Sequence, residues 1–164
     1  MIKRTIIGVI AIASLCSLMC ACQPEQSELK INSIKETAKI VGKVLYNEVY
    51  DVDGNWGSWQ PASGVTVIAR IDYGQYSSGS AAGVYTVKAN TNAEGKYTLE
   101  VPVGARTITA TVSCLPFYQT RYDWSIEGKR IPVNNCLYNQ SSNVNVSLFS
   151  EAIATANFKV TTLE

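Results

Sequence analysis

The fold is decided by two stretches: Gly64-Val65-Thr66-Val67-Ile68-Ala69-Arg70-Ile71, and the run from Thr91-Asn92-Ala93-Glu94-Gly95-Lys96-Tyr97-Thr98-Leu99 through Val101-Pro102-Val103-Gly104 to Ile108-Thr109-Ala110-Thr111-Val112-Ser113. Val65, Val67, Ala69 and Ile71 fall at alternate positions, as do Tyr97, Leu99 and Val101, and Ile108, Ala110, Val112 and Cys114. A period of two puts these side chains on one face of an extended chain and the threonines between them on the other. One apolar face per strand is the mark of half-buried antiparallel sheets. Two such sheets stacked face to face make a sandwich.

The same alternation recurs outward in both directions. Ile40, Val44 and Tyr46 share a face, with Gly42 between them, and Tyr85, Val87 and Ala89 alternate with Thr86, Lys88 and Asn90. Val144-Val146-Leu148 and Phe158-Val160 follow later. These runs predict an all-β, antiparallel β-sandwich of about seven strands. Asn92-Ala93-Glu94-Gly95 reads as a hairpin turn between the third and fourth strands, with Gly95 free to take positive φ. Pro102 stands at a strand end, where it forfeits no ladder donor. The last strand, from Ala156 to Glu164, reads as a free edge able to take a partner's strand.

The front of the chain sets its expected compartment. Lys3 and Arg4 precede an apolar stretch from Ile6 to Met19, too short for a spanning helix. It ends at Cys20-Ala21-Cys22, and Gln23-Pro24-Glu25-Gln26 is polar. This ending resembles the lipobox of bacterial lipoprotein signal peptides, with Ala21 as the small residue before Cys22; Met19 departs from the usual leucine. The resemblance implies a signal peptide over 1–21, a lipid on Cys22, a tether over 22–37 and one domain over 38–164. An ordinary secretory signal is the competing reading. Stable anchoring takes a pair of acyl chains. The expected location is the cell envelope, on the outer membrane, with its periplasmic or surface face left open.

Charge excludes some partners. The chain of 164 residues carries a formal charge of +1, which becomes −1 once Lys3 and Arg4 are removed with a signal. That balance gives no electrostatic footprint for nucleic acid. Of the five cysteines, Cys114 and Cys136 stay with the domain. They read equally as a disulfide, closing a loop of about 23 residues worth roughly 3 kcal/mol, or as two separate thiols that pack as small core residues.

The runs Ile40-Val41-Gly42-Lys43-Val44, Pro61 to Val67, Thr91 to Leu99 and Val101-Pro102-Val103-Gly104 together resemble the carboxypeptidase regulatory-like, or transthyretin-like, β-sandwich and the related Cna B-type domains. The likeness covers roughly residues 38 to 150. It implies a prealbumin-like sandwich acting as an accessory module that folds, spaces or docks, performs no reaction and needs no cofactor. Segments 47 to 63 and 72 to 84 depart from the compact pattern as insertions. Cna B-type domains sometimes carry a Lys–Asn isopeptide bond. Lys43 and Asn145 are the candidates, but Arg106 to Cys114 supplies no acid to transfer the protons.

Candidate chemistry is thin. The chain has no histidine, which removes serine–histidine catalysis and most of what a catalytic zinc site is built from. Asp51-Val52-Asp53-Gly54-Asn55 has the alternating oxygens that open a calcium loop, but the position where an EF-hand places its bidentate glutamate is Ala62, so an Asp-Gly turn is the better account. Asp51, Asp53 and Asp123 are the candidate acid/base set, and they read as turn and strand-edge residues. The most function-like feature is the pair Trp56 and Trp59 on a glycine-flanked loop. Together with Tyr73 and Tyr76 it forms a candidate surface for an envelope protein or a glycan. The competing reading folds the tryptophans back over the open end of the sandwich.

Overall fold

The computed structural model describes residues 31, 33–50, 57–77, 82–140 and 142–162. Residues 1–21, expected as a signal peptide, together with Cys22, the Asp51–Asn55 stretch and Trp56, lie outside the described residues. Seven strands coincide with the alternating runs: β1 (Thr37–Asn47), β4 (Thr66–Asp72), β5 (Val84–Asn90), β6 (Lys96–Pro102), β7 (Ile108–Cys114), β10 (Val144–Leu148) and β12 (Phe158–Thr162). They form the expected all-β, two-sheet sandwich. Five strands are added to it: the short β2 (Val49–Tyr50), β3 (Trp59–Pro61) and β11 (Ile153–Thr155), and a long hairpin of β8 (Phe117–Trp124) and β9 (Arg130–Asn139).

The smaller sheet runs β10-β7-β4-β5, all antiparallel. The larger sheet is built on β1 and is mixed. The first half of β1 lies between β6, antiparallel, and β11, parallel. Its second half lies between β3, antiparallel, and β12, parallel. β12 then carries β9, β9 carries β8, and β8 carries β2. Two expectations are corrected here. β12 is an interior strand between β1 and β9, not a free edge. The Asn92–Gly95 turn joins β5 to β6, which belong to different sheets, so it is a corner and not a hairpin. Alternation tells which face is buried but not which strand is the neighbour. The turn chemistry itself is as read: Gly95 has φ of 72°, and the Asn92 side chain accepts from the N–H groups of Glu94 and Lys96.

Between the sheets, Ala38, Ile40, Val44, Leu99, Val101 and Val160 face Val67, Ala69, Ile71, Ile108, Ala110, Val112 and Leu148, and all are buried. Each large aliphatic side chain in such a core contributes roughly 1.5–3 kcal/mol of transfer free energy. The point where β1 changes neighbours is Gly42. A Cβ there would stand 1.8 Å from the Ala156 carbonyl oxygen, at the break between β11 and β12. That carbonyl accepts from the Tyr97 hydroxyl, and the Ala156 N–H donates to Val41. Glycine is required because two backbones touch.

Candidate functional site

The β8–β9 hairpin leaves the sandwich and carries two different faces. Directly opposed residues share a face, so Phe117 with Tyr138, Gln119 with Cys136, Arg121 with Val133 and Asp123 with Ile131 form one side. Tyr118 with Leu137, Tyr122 with Pro132 and Trp124 with Arg130 form the other. Between Gln119 and Arg121 the partner strand spends one residue more, and Asn135 there takes a left-handed φ of 58°. Such a bulge raises the local twist and turns the strand.

The first side anchors the hairpin at its base. Tyr138 is fully buried and donates to the Asn47 carbonyl at 2.7 Å. Phe117 stacks on it at 5.5 Å, and Tyr46 meets both rings edge-on. Burial pushes the Tyr138 and Tyr46 hydroxyls above their ordinary value, so both remain neutral donors. Further out, Arg121 grips Asp123 with two bonds of 2.8 and 3.0 Å and reaches Thr162. The bond from Asp123 holds the Arg121 guanidinium firmly charged. Asp123, weighed from sequence as an acid/base, is thus half of a bidentate ion pair.

The second side is turned to solvent. Tyr118 is 65% exposed and Trp124 40%. Between them Arg130 lies over the Tyr122 ring, 4.3 Å from its centroid, and extends to Glu48. The turn beyond is set by its backbone: Ser125 pairs with Lys129, and Gly128 has φ of 72°. It leaves Ile126 fully exposed; Ile131, on the first side, is 49% exposed. Single exposed apolar residues are ordinary, but several large ones on one hairpin are not. Phe117 opposes Tyr138, which opposes Thr162, so the hairpin base is level with the end of β1. β8 runs parallel to β1, and its outer part pairs with β2, which continues β1, with Tyr122 opposite Val49 and Asp123 opposite Tyr50, so the tip lies past the end of β1. The tip and Thr37 therefore lie at opposite ends of the molecule.

The tryptophan and tyrosine candidates are placed differently. Trp59 is half-buried on β3, opposite Asn47, with the Lys159 ammonium 5.3 Å from its ring centroid. Its partner in the sequence reading, Trp56, lies outside the described residues. Tyr73 and Tyr76 are half-buried and fold against Tyr85, at 6.4 and 6.1 Å. The Tyr76 hydroxyl donates to the Pro102 carbonyl, and burial raises its pKa. Gln75 bonds to both backbone groups of Thr109, as a neighbouring strand would. This segment seals one end of the sandwich. A cleft of ≈ 250 Å³ beside it is lined by Ser77, Ala105, Arg106 and Ile108 among others and carries a single charge. Cys114 and Cys136 are free thiols, each donating to a backbone carbonyl. Lys43 lies on β1 and Asn145 on β10, in different sheets, with Asn145 accepting from Thr111. Among the described residues no group of three or more acidic or thiol side chains is placed to hold a metal, and no helix is long and apolar enough to cross a membrane.

The sequence reading passed over the hairpin. Phe117-Tyr118 puts large rings on both faces at once, so the alternation fails, and Pro132 is a residue that central strands exclude. Pro132 is tolerated because β12 pairs with β9 only at Tyr138 and Asn139, leaving β9 one neighbour further out. The available signal was Ser125 to Lys129, a polar turn with a glycine between two aromatic and β-branched runs.

No protein-family model matches the chain, and no curated protein matches it. Solved structures resemble it remotely. The major plantain pollen allergen Pla l 1 is 14% identical with a TM-score of 0.41, over 77% of this chain and 94% of that one. The minor pilin of Streptococcus agalactiae is 13% identical with a TM-score of 0.40, over 79% of this chain and 46% of that one. The shaft pilin SpaA of Lactobacillus rhamnosus GG is 18% identical with a TM-score of 0.37, over 78% and 50%. The chain spans about half the length of either pilin. Likenesses this remote say nothing about what the chain does.

Proposed function

We propose that this chain is a non-enzymatic, lipid-anchored module of the bacterial cell envelope, in which the sandwich is the scaffold and the β8–β9 hairpin is the surface that meets a partner. The observation that carries the reading is the hairpin's outer side and tip, where Tyr118, Trp124 and Ile126 stand exposed. Aromatic and aliphatic anchors of this kind dominate interface energies. The chain's lack of histidine and the engagement of Asp123 by Arg121 support a role without catalysis. A lipid on Cys22 would tie the domain to the membrane through residues 22–37. The tether enters at Thr37, so the tip would face away from the anchoring outer membrane.

The test uses the full chain in cells, with Trp124 and Ile126 both changed to Ser. The unaltered chain is expected to run in a larger envelope complex on a native gel, and the variant to fold, to carry lipid and to lose that complex. A complex of unchanged size would sink the reading. Incorporation of labelled palmitate into the chain, abolished by Cys22→Ser, tests the anchor separately.

A second reading is carbohydrate binding. Tyr118, Tyr122 and Trp124 lie on the same side of β8, a spacing that suits stacking on successive sugar rings. Titration against a glycan panel, following tryptophan fluorescence, separates the two: a saturable response lost in Trp124→Ala supports the glycan, and a flat response across the panel removes it.

A further inference from the structure

Among the described residues, β5 is the outer strand of the smaller sheet, hydrogen-bonded to β4 alone. It is seven residues long and contains neither proline nor bulge, and Lys88 is its one charge. Its inward side chains, Tyr85, Val87 and Ala89, are only half-buried, while their neighbours on β4, Ile71, Ala69 and Val67, are buried outright. Core-facing residues are left open because the sheet stops one strand early. A long, flat edge without such defences is a template for another strand.

The sequence of β5 says which strand fits. Antiparallel pairing of two copies must match inward with inward residues, which limits the register to steps of two. With a two-fold axis at Val87, Val87 meets Val87, Tyr85 meets Ala89, Thr86 meets Lys88 and Val84 meets Asn90. Every residue is used, each large ring faces a methyl group, and no like charges oppose each other. Sliding by two residues one way sets Lys88 against Lys88, which is destabilising. Sliding the other way runs the pairing off β5 at one end.

We propose that two copies of this chain pair edge to edge through β5, antiparallel about Val87, joining their smaller sheets into one sheet of eight strands. The surface is separate from the hairpin and leaves it free. Directly opposed Cα atoms lie about 4.5–5.5 Å apart, inside the range a disulfide spans. In cells carrying the full chain, Val87→Cys is therefore expected to give a covalent dimer under oxidising conditions. Lys88→Cys is not, because its own copy lies more than about 7 Å away. Adding Thr86→Lys to the Val87→Cys chain opposes lysine to Lys88 twice per dimer and should cut the crosslinked fraction at least tenfold; adding Lys88→Glu as well should restore it. Should Val87→Cys disturb the core, the outward-facing pair Thr86→Cys with Lys88→Cys tests the same register. The idea is overturned if the folded Val87→Cys and paired variants stay uncrosslinked, if crosslinking is equal from Lys88→Cys, or if β5 captures a different protein instead.

Discussion

The sandwich and the β8–β9 hairpin are both β-structure, yet their side chains obey different rules. In β6 the exposure alternates strictly, and Tyr97, Leu99 and Val101 are buried. In β8 it does not: five consecutive residues from Gln119 to Asp123 are half-buried, and the large rings lie on both sides. The sandwich strands have a second sheet across from them, whereas the hairpin joins the core only at its base, where Tyr46, Phe117 and Tyr138 of its own sheet pack together. Beyond that base, apolar side chains remain that the fold does not use. A strand that spends large side chains on solvent is where binding is to be sought.

The contrast can be broken most severely at Gly42. Gly42→Ala drives a methyl into the Ala156 carbonyl, so the sandwich is expected to lose about 4 kcal/mol or to fail to fold, as read by urea denaturation. Leu99→Ala leaves a cavity between the sheets and should cost about 3 kcal/mol. Leu137→Ala, on the outer side of the hairpin, should cost well under half of that in the same assay. Equal costs would mean that the hairpin is packed as tightly as the core.

The two cysteines extend the comparison. Burial pushes the Cys114 thiol from 9.0 up to about 12. The unfolded chain then releases this proton near pH 9 while the folded chain holds it, so folding stability is full below pH 9 and falls as pH rises toward 12. The buried hydroxyls of Tyr76, Tyr97 and Tyr138 act with the same sign from about pH 10. Cys114→Val should therefore flatten the decline of Tm chiefly between pH 9 and 10. In the native state at neutral pH, a thiol reagent is expected to label the half-buried Cys136 before the buried Cys114; the reverse order would contradict the burial described. The smallest effect belongs to the tip, where Trp124→Ser with Ile126→Ser should change stability by under about 0.5 kcal/mol.

The sandwich was legible in the sequence because burial on one face writes itself as alternation, from Ile40 to Val160. Neighbour relations were not, since the same alternation fits any order of strands; hence the interior position of β12 and the corner at Asn92–Gly95 appear only in three dimensions. At the candidate site, composition pointed to aromatic residues but chose Trp59, Tyr73 and Tyr76. Trp59 is half-buried under Lys159, and the two tyrosines close the end of the sandwich. Trp124 went unremarked because exposure has no period.

The central claim is that an envelope partner other than a second copy of this chain meets the hairpin and not the faces of the sandwich. A photoreactive residue placed at Tyr118 or Trp124, and in parallel at the exposed Thr98 on β6, tests it within living cells. The account predicts a discrete adduct from 118 and 124 and none from 98. Adducts from 98 alone, or none from the hairpin of a folded and lipidated chain, would contradict it.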